Sequence, residues 1–336
     1  MRDLNNSKNY TNFKQMNMSK YNRYLAVMVA VFSALLLAPS SLYAQGKIRA
    51  KHVILIGIDG WASKGLEQAD MPTVKNMMQN GSYTLLKRSV LPSASAINWA
   101  SIFMGVGTES HGYTTWGSKT PEIPSSVVNS HGIFPTIFSI LKEQRPETKS
   151  AVITDWSGIK YVIDSLAVDD VMWYEGAGYG KKNGKKYGEP DDYSRIAENY
   201  IRQNKPTFFF IYFGGLDETG HKKGWYKSAY YKFEKTLDSC ISNIVQATKD
   251  AGIFDDTVFV LTSDHGGSSK GGHGGKTLEE MLSPFIVYGK GIRSNFEITD
   301  AMMQYDVAAT VAYLLGVEPP QAWVGRPMMQ IFEEVE

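Results

Sequence analysis

The chain has 336 residues, 43% hydrophobic, 12% aromatic and 21% charged, which supplies a large apolar core and excludes a disordered, collagen-like or disulfide-stapled chain. A formal charge of +1 gives no overall sign of a nucleic-acid binder. The single cysteine, Cys240, excludes an intramolecular disulfide and a thiolate metal cluster, and is expected to lie buried in a helix as a small apolar residue.

In chain order, the first element is Leu25–Ala38, LAVMVAVFSALLLA, which carries no charge; Lys20 and Arg23 precede it, and Leu42-Tyr43-Ala44 leads into Gln45. A basic flank, a short apolar run and a small-residue exit predict a signal peptide over residues 1–44, cleaved near Ala44–Gln45. The run is shorter than the roughly 20 residues of a bilayer-spanning helix, and a retained anchor is the alternative. Residues 1–17 are polar, and Met16 or Met18 is a second candidate start. Such a leader implies a periplasmic or secreted protein. It holds Arg2, Lys8, Lys14, Lys20 and Arg23 against Asp3, so the remainder carries 30 basic and 33 acidic side chains. Residues 45–336 are expected to form one domain.

Val53–Ile58 is a continuous apolar run, as expected of a parallel strand covered on both faces. Phe208–Phe213, Val258–Leu261 and Phe285–Tyr288 repeat the pattern. Ser228–Lys249 has helical apolar spacing, and Asp306–Leu315 is a further helix, stopped by Gly316 and Pro319-Pro320. Strands separated by helix-length segments predict an α/β fold: a doubly wound, largely parallel sheet with helices on both faces. Gly176–Tyr187 mixes Gly and Tyr with Lys181, Lys182, Lys185 and Lys186, and reads as a mobile basic surface loop.

The placement of polar residues carries the functional signal. Asp59 follows the first apolar run, Asp217 and His221 the second, and Asp264 and His265 the third, with His273 in the Gly-rich loop beyond. In open parallel sheets ligands sit outside the carboxyl ends of the strands, so three strand ends would deliver acids and imidazoles to one edge. These are ligand types for zinc-like cations, and carboxylates so crowded would repel without them. Each piece has a bland alternative as a turn or a helix cap.

Ser95, within Leu91-Pro92-Ser93-Ala94-Ser95-Ala96-Ile97-Asn98-Trp99, is placed as the N-cap of a helix running through Ile97, Ala100, Ile102 and Phe103. A helix N-terminus suits a phosphoryl or sulfuryl group, and Asn98 would share its face. Ser95 is the candidate nucleophile, needing a base or metal for activation; Ser93 competes, and a pure capping role for Ser95 stays open.

In this order the motifs resemble the alkaline phosphatase superfamily, and within it the type I phosphodiesterase/nucleotide pyrophosphatase group. Ile58-Asp59-Gly60, Met71-Pro72-Thr73-Val74, Pro92–Asn98, Glu109-Ser110-His111-Gly112, Trp156-Ser157-Gly158, Asp217-Glu218-Thr219-Gly220-His221, Ser263-Asp264-His265-Gly266, Gly272-His273-Gly274 and Gly325-Arg326-Pro327 carry the likeness. The resemblance implies two divalent cations, zinc by the family's habit. Asp217, His221 and His273 would hold one; Asp59, Asp264, His265 and Ser95 would hold the other. It further implies attack by Ser95 on phosphorus and a phospho-serine intermediate. Asn98 and the Ala96 N–H would stabilise the phosphoryl oxygens, His111 would be structural, and the substrate would be a small phosphate ester or nucleotide.

Two departures stand out. Ser95 stands where the group usually has Thr, and Tyr113–Ser118 lacks the Asn-rich continuation of nucleotide-cleaving enzymes. Residues 113–195 would supply small cap insertions. There and nearby, Trp116, Trp173, Tyr174 and Trp99 could stack on a base or sugar or be core, with core preferred for Trp99. A phosphomonoesterase with the same site is the alternative activity, with Lys276 as its candidate phosphate-binding cation. The lack of a Cys/Ser-x-Pro-x-Arg motif disfavours a sulfatase. The leader and the lack of a large inserted domain disfavour a phosphomutase. A degenerate ligand-binding relative would need a broken ligand set.

Overall fold

The computed structural model describes residues 49–174, 180–182, 185–187 and 190–333, all within the unit Gly46–Glu336. The leader and its cleavage point lie outside the described residues. Among the described residues no helix is long and apolar enough to cross a membrane.

The strands in chain order are β1 (His52–Ile58), β2 (Ser82–Arg88), β3 (Ser150–Thr154), β4 (Asp170–Trp173), β5 (Gly180–Lys182), β6 (Lys185–Tyr187), β7 (Phe208–Phe213), β8 (Thr257–Thr262), β9 (Leu282–Gly289) and β10 (Phe296–Glu297). Eight of them form one sheet in the order β10-β2-β9-β8-β1-β7-β3-β4. The run β8-β1-β7-β3-β4 is parallel throughout, while β9 is antiparallel to both of its neighbours. The apolar run at Phe285–Tyr288 is thus a strand as expected, pointing against the others. The expected loop at Gly176–Tyr187 contains instead the antiparallel hairpin β5–β6.

Alternation along each central strand buries both faces. Val53, Leu55, Phe208, Phe210, Val258 and Val260 face one core with the helices Ser95–Met104, Ile137–Gln144 and Asp306–Leu315. Ile54, Ile56, Phe209, Ile211, Phe259 and Leu261 face the other, with Pro72–Gln79, Pro190–Asn204 and Ser228–Asp250. Cys240 is buried in the last of these helices.

Register decides what the sheet presents at its carboxyl edge. Gly57 stands opposite both Tyr212 and Thr262, so β1, β7 and β8 end at one level. Asp59, Gly214 and Ser263 therefore leave the sheet together, and β3 brings Asp155 to the same edge two strands from β1. Gly57 is required there: a Cβ would lie 2.4 Å from the Trp99 ring, which packs over it.

Candidate active site

The segment Asp217–His221 lies within the helix Gly215–Lys223, so the i, i+4 spacing puts both side chains on one face. Gly60 turns the chain after Asp59 with φ +66°, and a Cβ there would lie 2.9 Å from the Asp217 carboxylate. Two groups of ligand atoms result, each within 4.8 Å of one another: Asp59, Asp264 and His265, all buried, and Asp217, His221 and His273. The His265 and His273 rings stack at 3.7 Å between centroids, so the two groups adjoin.

The imidazoles show what the groups are shaped to hold. His265 Nδ1 lies 2.7 Å from the Gly266 carbonyl, His273 Nδ1 2.9 Å from that of Ser93, and His221 Nδ1 3.1 Å from that of Gly271. A carbonyl only accepts, so each Nδ1 carries the proton and each Nε2 presents its lone pair inward, the arrangement of metal-ligating histidines. His221 Nε2 and His273 Nε2 are only 3.1 Å apart, which two lone pairs tolerate only with a positive charge beside them. Asp217 Oδ1 and Asp264 Oδ2 are buried without a hydrogen-bond partner. Orphaned carboxylate oxygens among converging imidazole nitrogens fit divalent cations.

Electrostatics agree. Burial, then the neighbouring Asp264 and Asp217, push Asp59 well above the usual carboxylate range. Burial and Asp217 push Asp264 up to about 8. Burial also raises Asp217, but its hydrogen bond to His221 and the nearby His265 and His273 outweigh this and bring it below its ordinary value. The Asp217 bond lifts His221 to about 9, while burial and His265 lower His273 to about 4. With no cation present, protons take up the role one would fill.

Ser95 stands against the buried group, its Oγ 3.4 Å from Asp59 Oδ1 and 3.3 Å from His265 Nε2. It is the first residue of its helix; Ala94 is the N-cap, and no side chain caps that end. The capping role is excluded, and the hydroxyl faces the ligand group. Ser93, the competing candidate, turns its hydroxyl away to donate to the Gly275 carbonyl at 2.7 Å.

Three expected placements are corrected. Asn98 does not face the phosphoryl position: its Oδ1 accepts from the Val90 N–H at 2.8 Å, and its amide donates to the carbonyls of Val90, Pro92 and Ala94. It clamps the loop that carries Ser95. The Ala96 N–H donates to the Trp116 carbonyl at 3.1 Å, because residues 113–118 fold over the helix end. Lys276 is exposed and does not line the cavity, so it is not placed to bind substrate phosphate. His111 is structural as expected: buried, it accepts the Tyr113 N–H at Nδ1 and bonds Ser101 Oγ through Nε2. Trp99 is core.

Sequence reasoning missed several supporting groups. Trp99 Nε1 donates to Asp59 Oδ2 at 3.0 Å and the Tyr212 hydroxyl donates to the same oxygen, leaving Oδ1 turned to Ser95 and His265. Lys87, fully buried, donates to the Ser263 carbonyl at 2.7 Å, to Ser283 Oγ at 2.8 Å and to Gln304, bracing the turn before Asp264. A lone lysine and a strand tyrosine on the Trp99 side were the available signals. Above the site lies a cavity of about 890 Å³, walled by Trp116, Trp156, Asp155 and Glu218.

Comparison with known proteins places the chain. The sequence profile of the family "Type I phosphodiesterase / nucleotide pyrophosphatase" matches residues 53–283. The GPI ethanolamine phosphate transferase 1 of Emericella nidulans is 32% identical over 148 residues, 38% of this chain and 16% of that protein. The enzyme of that name from Aspergillus fumigatus is 27% identical over 277 residues, 61% of this chain and 27% of its own length. These matches thus span less than a third of the relatives' length. In structure, murine ectonucleotide pyrophosphatase/phosphodiesterase 5, an inactive variant in complex with AMP, superposes with a TM-score of 0.65 at 15% identity, covering 80% of this chain and 96% of that one. At that identity the likeness shows the fold, an open, mostly parallel alkaline phosphatase-type sheet.

Proposed function

The chain belongs to the type I phosphodiesterase/nucleotide pyrophosphatase family, and from that premise we propose that it is an exported phosphodiesterase using two divalent cations and Ser95 as nucleophile. The observation that carries this reading is the convergence of three imidazole Nε2 lone pairs and two orphaned carboxylate oxygens beside an uncapped serine hydroxyl. Asp59, Asp264, His265 and Ser95 would hold one ion, and Asp217, His221 and His273 the other. Zinc suits this carboxylate and imidazole set. Bound there, such ions lower a hydroxyl's pKa and neutralise phosphoryl oxygens.

The chain's own residues then do the following. Asn98 holds the loop so that Ser95 Oγ faces the cavity. Ser95 Oγ bonds to phosphorus as the bond to one alcohol breaks, and the alcohol leaves with a proton. Water then cleaves the phosphoserine ester, releasing the remaining monoester and restoring the hydroxyl. Trp99 and Tyr212 fix the Asp59 carboxylate throughout.

A diester is favoured over a monoester because among the described residues no Lys or Arg lines the cavity, so none of them would join the ions in meeting the monoester's extra charge. The fungal relatives' names support a second outcome at the same intermediate, transfer of the group to an alcohol instead of water. For export, residues 1–44 would be the cleaved signal and 45–336 the catalytic domain, and N-terminal sequencing of material released from cells checks the cut near Ala44–Gln45.

Parallel assays with bis-p-nitrophenyl phosphate and p-nitrophenyl phosphate test the reading. The diester should be cleaved faster by about tenfold or more, and Ser95→Ala should lose about a thousandfold of that rate. Full activity in Ser95→Ala rejects the mechanism, and a faster monoester rejects the diester assignment.

A further inference from the structure

Nothing in the chemistry at Ser95 calls for an amine, yet one is buried behind the ligand group that faces it. Lys87 lies on β2 with no exposed surface, at the end of a register shift between Thr84 and Lys87 in the pairing with β9. A bulge of this kind re-aims the side chains beside it. An apolar side chain could fill the same space without the cost of desolvating an amine, so what Lys87 contributes lies in its hydrogen bonds. Nζ lies 2.7 Å from the Ser263 carbonyl and 2.8 Å from Ser283 Oγ, and it also bonds Gln304 Oε1. A carbonyl and an amide oxygen only accept, so Nζ donates to both whether it carries two protons or three.

A donor at Oε1 decides which way the Gln304 amide points. Its Nε2 then donates to the Ser263 carbonyl at 3.0 Å and to the Asp264 carbonyl. Gln304 is itself fully buried, and its backbone N–H donates to the Arg88 carbonyl at 3.0 Å, so β2 holds both members of the pair. Ser283 Oγ adds a bond to the Ser263 carbonyl at 3.2 Å. From the opposite side, Ser263 Oγ accepts the Trp61 N–H at 2.9 Å and Asp264 Oδ1 accepts the Gly60 N–H at 3.2 Å. The turn is thus gripped by its carbonyls from behind and by its side chains from in front. That grip leaves Asp264 Oδ2 without a hydrogen-bond partner, 3.2 Å from His265 Nε2. The other ligand group is held by different means: Asp217 and His221 ride on one helix, and His273 Nδ1 is anchored on the Ser93 carbonyl. Among the described residues neither the Lys87 amine nor the Gln304 amide bonds any of these three.

We propose that Lys87, acting through Gln304 and the Ser263 carbonyl, is a positioning residue for the group of Asp59, Asp264 and His265, so that the ion beside Ser95 depends on it and the ion at Asp217, His221 and His273 does not. The proposal rests on the two-cation reading and adds to it a buried relay that sets one ion site independently of the other. Outer partners that orient a ligand matter to the affinity of the ion it holds, and here the partner reaches the ligand through the backbone of its turn.

The test is zinc binding by the full chain, read by competition with a chelating dye, in Lys87→Met and Gln304→Met. Lys87→Met keeps the length of the side chain and removes its donors; Gln304→Met leaves Lys87 on Ser263 and decides the question if Lys87→Met does not fold. Each variant should weaken one ion by about 10–100-fold and leave the other within about twofold. Repeated in Asp217→Asn, the same change should weaken the ion that remains, which assigns the effect to the group beside Ser95. Equal weakening of both ions, or a lower melting temperature of the chelator-treated protein with both affinities intact, makes Lys87 merely structural and overturns the proposal. An effect that disappears in Asp217→Asn puts the dependence on the wrong group and overturns it as well. Hydrolysis of bis-p-nitrophenyl phosphate is measured on the same preparations. Ser95-dependent hydrolysis with both affinities unchanged in the variants sinks the role of Lys87 and spares the phosphodiesterase reading. Selective loss of one ion in a chain whose wild type hydrolyses nothing sinks that reading and spares the role of Lys87.

Discussion

Asn98→Ala separates loop clamping from contact with substrate. Asn98 Oδ1 accepts from the buried Val90 N–H, and Asn98 Nδ2 donates to the Val90 carbonyl at 3.3 Å. The Pro92 and Ala94 carbonyls keep the Ala94 and Asn98 N–H groups as partners, so the orphans are at Val90. Leaving a buried N–H unpaired costs about 1–3 kcal/mol, and the lost carbonyl bond adds about 1, for a total of about 2–4 kcal/mol. At about 2 °C or slightly more per kcal/mol for a domain of this size, calorimetry should show the melting temperature falling by about 5–10 °C. Turnover should fall with it, because Ser95 rides on the same loop. An unchanged melting temperature together with a large loss of kcat would refute the clamp and return Asn98 to the phosphoryl oxygens.

Tyr212→Phe removes one of the two donors on Asp59 Oδ2. Competition with a chelating dye should show the affinity for one of two bound ions weakened by about 10–100-fold, and unchanged affinity at both would contradict the assigned role. Burial lifts Glu234 from 4.5 to about 8. The folded state therefore holds this proton to higher pH than the unfolded chain does, and its contribution to stability, complete below 4.5, is lost as pH rises towards about 8. Glu234→Gln keeps an acceptor for Trp61 Nε1, so it should melt higher than the wild type near pH 8 and gain less at pH 5, about where the unfolded carboxyl titrates. A gain independent of pH rules this out. Zinc should raise the melting temperature of the chelator-treated protein, since it binds the folded ligand groups, and Asp217→Asn should reduce that gain. An equal gain in the variant places the ion elsewhere.

The central sheet was legible where burial on both faces forces an unbroken apolar run. Phe208–Phe213 matches its strand end to end, and Val53–Ile58 and Val258–Leu261 fall short only at their ends. Strand β2, SYTLLKR, was not legible, because it carries Lys87, whose buried amine is satisfied by hydrogen-bond acceptors distant in sequence. Strand β3 is only five residues long and begins on Ser150, which kept Asp155 from standing out as the fourth acid at a strand end. The direction of β9 depends on the connection before it, which periodicity does not encode.

At the site, the candidate ligand positions were readable because Asp59, Asp264 and His265 closely follow their strands, Asp217 and His221 share one helix face just beyond theirs, and His273 sits among glycines. The roles of Asn98 and Ala96 were not. Facing positions on a helix say nothing of the loop at Trp116 that folds back to take the Ala96 N–H, or of the Val90 backbone that takes the Asn98 side chain. Local spacing finds the candidate ligands; distant chain decides which donors remain free.

Anomalous X-ray scattering from zinc-loaded crystals bears most directly on the claim that Ser95 works between two cations. The account predicts two peaks: one among Asp59, Asp264 and His265 with Ser95 Oγ coordinated, the other among Asp217, His221 and His273. A single peak, or a metal that leaves Ser95 Oγ uncoordinated, would contradict it.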